Sequence, residues 1–107
     1  GIEAILEKGR VGEVYNIGGN NEVANIDLIQ MICELIDEKF AKEAGLRERY
    51  LESPAANGGK SASLISFVED RLGHDRRYAI DARKVAGELG FEPRHQVNVG
   101  LAATINE

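Results

Sequence analysis

The sequence predicts an α+β domain in which a few short strands alternate with three to four helices. Three observations predict it. Apolar residues recur at three- and four-residue steps through 26–42 and again through 82–89, the spacing of one buried helix face. Short runs of β-forming residues lie at 14–17, 64–68 and 78–80. One of those runs empties into a Gly- and Asn-rich turn, Gly18-Gly19-Asn20-Asn21, ahead of the longest periodic segment.

In chain order, Ile2, Ile5 and Leu6 share a face of a short helix over 2–8 that Gly9 ends. Val14-Tyr15-Asn16-Ile17 reads as a strand between Gly12 and the turn cluster. The longest helix covers 26–42, with Ile29, Ile32, Cys33, Ile36 and Phe40 inward and Asp27, Gln30, Glu34, Asp37 and Glu38 on other faces. Asn25 stands where an N-cap belongs, and Asp27 suits the positive end of the helix dipole. Between 44 and 63 the periodicity dissolves into Gly, Pro, Ala, Asn and Ser, which predicts a mobile loop or insertion with a weak helical turn near 46–51. Residues 64–68 and 78–80 read as further strands. Asp81 is placed as the N-cap of a helix over 82–89 that stops at Gly90, and a last helix is expected over 97–105.

The composition excludes several classes. With 107 residues there is room for one core in one domain, and a formal charge of −5 gives no general attraction for nucleic acid or anionic lipid. No apolar run approaches the roughly 20 residues a bilayer span needs. The lone Cys33 forms no internal disulfide and, with no signal peptide at the start, fits the cytoplasm. A first residue of Gly opening straight into helical sequence suggests a chain cut from something larger, or a tag remnant.

The densest chemical cluster is Asp70 to Tyr78, where three Arg and one His fall within seven residues of an otherwise acidic chain. Arg forks match phosphate oxygens in two-point contacts, and Gly73 suggests a turn that lets a ligand approach closely. The competing reading pairs these arginines with Glu69, Asp70, Asp75 and Asp81 as a solvated network. A second candidate is the start of the long helix, where free N–H groups favour an anion and Asn25 either caps the helix or meets a ligand. Gly18-Gly19 does not complete a dinucleotide fingerprint, because no third Gly follows before Gly45. His74, His95 and Cys33 give no metal-ligand spacing, Cys33 reads as core, and the stretch around Ser61 fails the Gly-x-Ser-x-Gly pattern. No catalytic, cofactor or metal site is expected on this chain.

Taken together, residues 12–22, Asn25, 64–68 and the string Asp70-Arg71-Leu72-Gly73-His74-Asp75-Arg76-Arg77-Tyr78-Ala79-Ile80-Asp81 resemble the dTDP-glucose 4,6-dehydratases, extended short-chain dehydrogenases. The resemblance implies the C-terminal, sugar-nucleotide-binding domain over 1–107, without the N-terminal NAD-binding Rossmann domain. It implies that Asn25, Arg71, Gly73, His74 and Asp75 contact the dTDP-sugar. In such an enzyme, a homodimer, NAD oxidises C4 of the glucose, water leaves across C5 and C6, and the hydride returns to C6, forming the 4-keto-6-deoxy sugar of rhamnose biosynthesis. The family's Tyr-x-x-x-Lys pair lies upstream. Here Tyr15, Tyr50 and Tyr78 are followed four residues on by Gly19, Pro54 and Ala82, so the chain alone is expected to be inactive. Leu72 departs from the family's usual Pro, and Ala102 and Ala103 stand where the family tends to be charged. Two alternatives remain open: a non-catalytic fragment whose basic loop is a salt-bridge network, or the same domain of another NAD-dependent sugar-nucleotide dehydratase or epimerase.

Overall fold

The computed structural model describes residues 1–75 and 77–107. Among them are α1 (Ile2–Lys8), α2 (Asn25–Lys42), α3 (Ala44–Arg49), α4 (Arg83–Leu89) and α5 (Val97–Asn106), with 3-10 turns at Pro54–Asn57 and Ser61–Leu64. No strand occurs among the described residues, so the α+β expectation is corrected: the fold is all-α. The reason is that a strand is made by its partner. Residues 14–17 and 78–80 are β-forming in composition, but none of their backbone groups pairs with another backbone group among the described residues. In the third run, Leu64 is taken into a 3-10 turn.

The chain divides into two compact units. The first comprises Gly1–Glu22 and Gly73–Val97. Its core is one face of α4, with Ala82, Val85 and Leu89 buried and Ile5, Tyr15 and Phe91 packed against them. This is the apolar face expected from the 82–89 periodicity. Gly90 ends the helix as expected, at φ +67°, with its N–H donating to Ala86 O at 3.0 Å. That left-handed conformation is unstrained only for glycine. A Gly90→Ala substitution is therefore expected to cost about 1 kcal/mol, read as a lower urea midpoint at unchanged slope.

Helix starts differ from expectation by one residue. Ala24, not Asn25, is the N-cap of α2 and makes no side-chain cap bond, so Asn25 is the first helical residue. Likewise Ala82 caps α4, and Asp81 lies one position further out, where its Oδ1 still accepts the Arg83 N–H at 3.0 Å. Periodicity fixes the faces of a helix but leaves its ends loose by a residue.

The second unit comprises Val23–Leu72 and Asn98–Glu107. Along α2, Ile32, Cys33 and Ile36 are half-buried and Phe40 is buried, while Ile29 is exposed. The 44–63 stretch, expected to be a loop or insertion, folds against α2 through α3 and the two 3-10 turns, burying Ala55 and Ser61. Pro54 starts the first of these turns with its preset φ, and Asn57 Nδ2 closes it onto Leu51 O at 2.7 Å and Ser53 O at 3.0 Å. Phe40 meets Tyr50 with ring centroids 6.2 Å apart, and Lys39 Nζ donates to Ile105 O, near the end of α5, at 2.6 Å.

Asp37 holds this unit together. Its Oδ1 accepts the Ser61 N–H at 3.0 Å and the Ser61 Oγ–H at 2.6 Å. These bonds, led by the hydroxyl, hold its carboxyl below the ordinary carboxylate range. A carboxylate whose folded pKa is depressed contributes stability above its unfolded pKa and loses it as pH falls through the folded value. Asp37→Asn is therefore expected to flatten the acid limb of the stability curve, with urea midpoints converging on the wild type as pH falls below the ordinary value of 3.8. Equal acid sensitivity in the two proteins would contradict this role.

The hydrophobic cores are small for the length. Among the large apolar residues left in solvent are Leu6 and Val14 of the first unit and Phe67 and Val68 of the second.

Candidate functional site

The five residues singled out by sequence fall on both units. In the second, Asn25 occupies the first turn of α2 and is exposed, and Arg71 ends an exposed run, 66–71, that is neither helix nor strand. The Arg71 N–H donates to Asp70 Oδ1 at 2.9 Å. Its guanidinium makes no hydrogen bond or ion pair among the described residues, so its five donors face solvent. No hydrogen bond joins Asn25 to Arg71 among the described residues.

Gly73, His74 and Asp75 belong to the first unit, and all are exposed. Gly73 adopts φ +73° with no atom within 4 Å of where a Cβ would stand. Its requirement is conformational, a left-handed turn in the middle of the basic string. Arg76 lies outside the described residues. Arg77 is neutralised by Glu22, its Nε donating to Glu22 Oε2 at 2.6 Å, rather than by the acids named in the salt-bridge alternative. Asp81 pairs instead with Arg83, whose NH2 group donates to Oδ2 at 2.6 Å. Of the arginines described in this string, Arg71 is the one left with an open guanidinium.

The Arg83 side chain, and then its backbone N–H, hold the Asp81 carboxyl at about 2. The contribution of this clasp to the start of α4 is present above the ordinary value of 3.8 and fades as pH falls toward about 2. Beside it, Lys84 lies 4.8 Å above the Tyr15 ring and donates to Glu13 Oε2 at 2.6 Å and to Val14 O at 3.0 Å. The Tyr15 hydroxyl in turn donates to Glu88 Oε2 at 3.2 Å, fastening residues 10–15 to α4.

Sequence reasoning missed one hollow of the first unit. A cavity of about 530 Å³ is lined by Gly18–Glu22 and by Tyr78, Ala79 and Ile80. The signal was present as two short β-forming runs, 14–17 leading into the glycine pair and 78–80, although nothing in the spacing says they lie together. In the second unit a more apolar hollow of about 380 Å³ lies among Ile36, Phe40, Leu46, Tyr50 and Ile105. The glycine turn does not fit a dinucleotide: it lacks the third glycine, and no ladder-paired strand leads into it among the described residues. Among the described residues no three His, Cys, Asp or Glu side chains cluster as metal ligands, and no helix is long and apolar enough to cross a membrane.

No family model matches the chain. Curated proteins do, along nearly its whole length, and they are sugar-nucleotide dehydratases. A dTDP-glucose 4,6-dehydratase of Xanthomonas campestris pv. campestris (strain B100) is 45% identical over 105 residues, covering 98% of this chain and 26% of the relative. The dTDP-glucose 4,6-dehydratase of Shigella flexneri is 43% identical, and dTDP-glucose 4,6-dehydratase 1 of Escherichia coli (strain K12) 42%, each over 104 residues, 97% of this chain and 25% of the relative. The chain thus spans about a quarter of the length of these relatives, and along nearly all of its own length it is similar to dTDP-glucose 4,6-dehydratases.

Proposed function

We propose that this chain is the sugar-nucleotide-binding part of an NAD-dependent dTDP-glucose 4,6-dehydratase, a cytoplasmic lyase that makes the 4-keto-6-deoxy precursor of rhamnose. The observation that carries this reading is the open Arg71 guanidinium within a chain 45% identical to such a dehydratase over 98% of its length. Arg71 supplies a planar fork for the pyrophosphate, and the first turn of α2 supplies free N–H groups beside Asn25. Gly73, His74 and Asp75 are the further contacts that this reading assigns to the dTDP-sugar. NAD and the proton-transfer groups belong to the rest of the parent enzyme, a homodimer, because the residues here do not fit a dinucleotide. The ligand on this chain is the dTDP-sugar, with neither nucleic acid nor membrane as a partner.

Titrating dTDP into the chain while following amide chemical shifts tests this. Shifts centred on Asn25 and on 71–75 are the expected result. Silence there, with intact helices, would favour the salt-bridge alternative, and equal response to UDP would favour a sibling enzyme. With NAD and dTDP-glucose the chain alone should form no 4-keto sugar.

A further inference from the structure

A further hollow of the first unit, of about 240 Å³, lies against the start of α4. The helix lines it with Ala82 and Ala86, which stand four residues apart and so share a face, and whose short side chains leave the space open. Phe91, half-buried and packed against the α4 core, contributes an aromatic ring. The turn over 18–21 completes that part of the lining, with Asn20 held at φ +50°.

The remainder of the lining is polar. Asn20, Asn21, Glu92, His95 and Gln96 are all exposed, and none of their side chains has a hydrogen-bond or ion-pair partner among the described residues. The three carboxamides and the imidazole each both donate and accept, which is what a hydroxyl group also does. No Lys or Arg lines the hollow and one carboxylate does, so a phosphate finds no guanidinium or ammonium to hold it. Arg94 is not among the lining residues. In volume the hollow falls below the roughly 300–1,000 Å³ of pockets that take drug-sized ligands, which leaves room for one ring. A pyranose meets all of these conditions: a single ring, a C–H face to lie on Phe91, hydroxyls that donate and accept, and no charge.

We propose that this hollow binds a neutral pyranose ring. The ring has two sources, a free glycoside and the sugar end of a sugar nucleotide, and the chemistry that recognises it is the same for both. The proposal goes beyond the dTDP-sugar contacts assigned above, because neither Asn25 nor any residue of 71–75 lines the hollow.

The test is to titrate methyl α-glucopyranoside, dTDP-glucose, dTDP and inorganic phosphate separately into the 107-residue chain while following amide chemical shifts. Saturable shifts over 18–21 and 91–96 with the glycoside support the site with a free ring as its source. Shifts there with dTDP-glucose alone support it with the nucleotide as the source. Combining Asn21→Ala with Gln96→Ala, both at exposed positions, should leave the helical circular dichroism unchanged and raise the half-saturating sugar concentration roughly 10-fold or more, for two lost hydrogen bonds. Arg94→Gln should leave that concentration unchanged. Absence of saturable shifts with both sugars, equal shifts with dTDP or phosphate, undiminished binding by the double variant, or an equal loss in Arg94→Gln would overturn the proposal. Shifts at Asn25 and 71–75 are read in the same spectra, so failure of this site and failure of the dTDP reading are distinguishable.

Discussion

Leu89→Ala is expected to destabilise the first unit by about 2–5 kcal/mol, enough to unfold it. Leu89 is 6% exposed and, among the described residues, shares its buried cluster with Ala82 and Val85, so few neighbours can collapse into the space its truncation leaves. Packing against α1, Tyr15 and Phe91 all depends on that face of α4. Leu6 provides the comparison. It has the same chemistry at 82% exposure, and Leu6→Ala should shift stability by no more than about 0.5 kcal/mol. Urea unfolding followed by helical circular dichroism checks both. Equal effects would mean that the α4 face is not the core.

Arg71→Ala should weaken dTDP binding by roughly 10- to 100-fold, the worth of about 1.5–3 kcal/mol for hydrogen bonds to a charged group. Because no residue described here holds the guanidinium, the substitution unpairs no acid among the described residues. Arg71→Lys keeps the charge but loses the fork and should recover only part of the affinity. Arg77→Ala removes a guanidinium already engaged by Glu22 and should change affinity little. Calorimetric titration of dTDP against the three variants decides the matter, and an Arg77 effect exceeding that of Arg71 would reverse the assignment.

Helices were readable from the sequence because their information is local. The spacing of Val85, Ala86 and Leu89, closed by Gly90, contains both the face and the stop of α4, and the same holds for α2 through Phe40. Strands were misread for the converse reason. Val14 to Ile17 has the composition of a strand, but a ladder needs a second backbone, which composition does not report. The folding of 44–63 was hidden in a long-range bond between Asp37 and Ser61, two residues unremarkable where they stand. At the candidate site, the Arg-x-Gly-His-Asp string was visible at once and Gly73 adopts the turn it suggested. Which arginine is open was not visible, since the pairing of Arg77 with Glu22 joins residues 55 positions apart.

The central claim is that these residues bind the sugar nucleotide of a dehydratase. Its most direct measurement is turnover by a chimaera in which this sequence replaces the matching quarter of the Xanthomonas relative, with the Arg71→Ala form beside it. The account predicts conversion of dTDP-glucose to the 4-keto-6-deoxy sugar, with a KM raised by roughly 10-fold or more in the variant. A folded, NAD-binding chimaera without turnover, or one indifferent to Arg71→Ala, would contradict it.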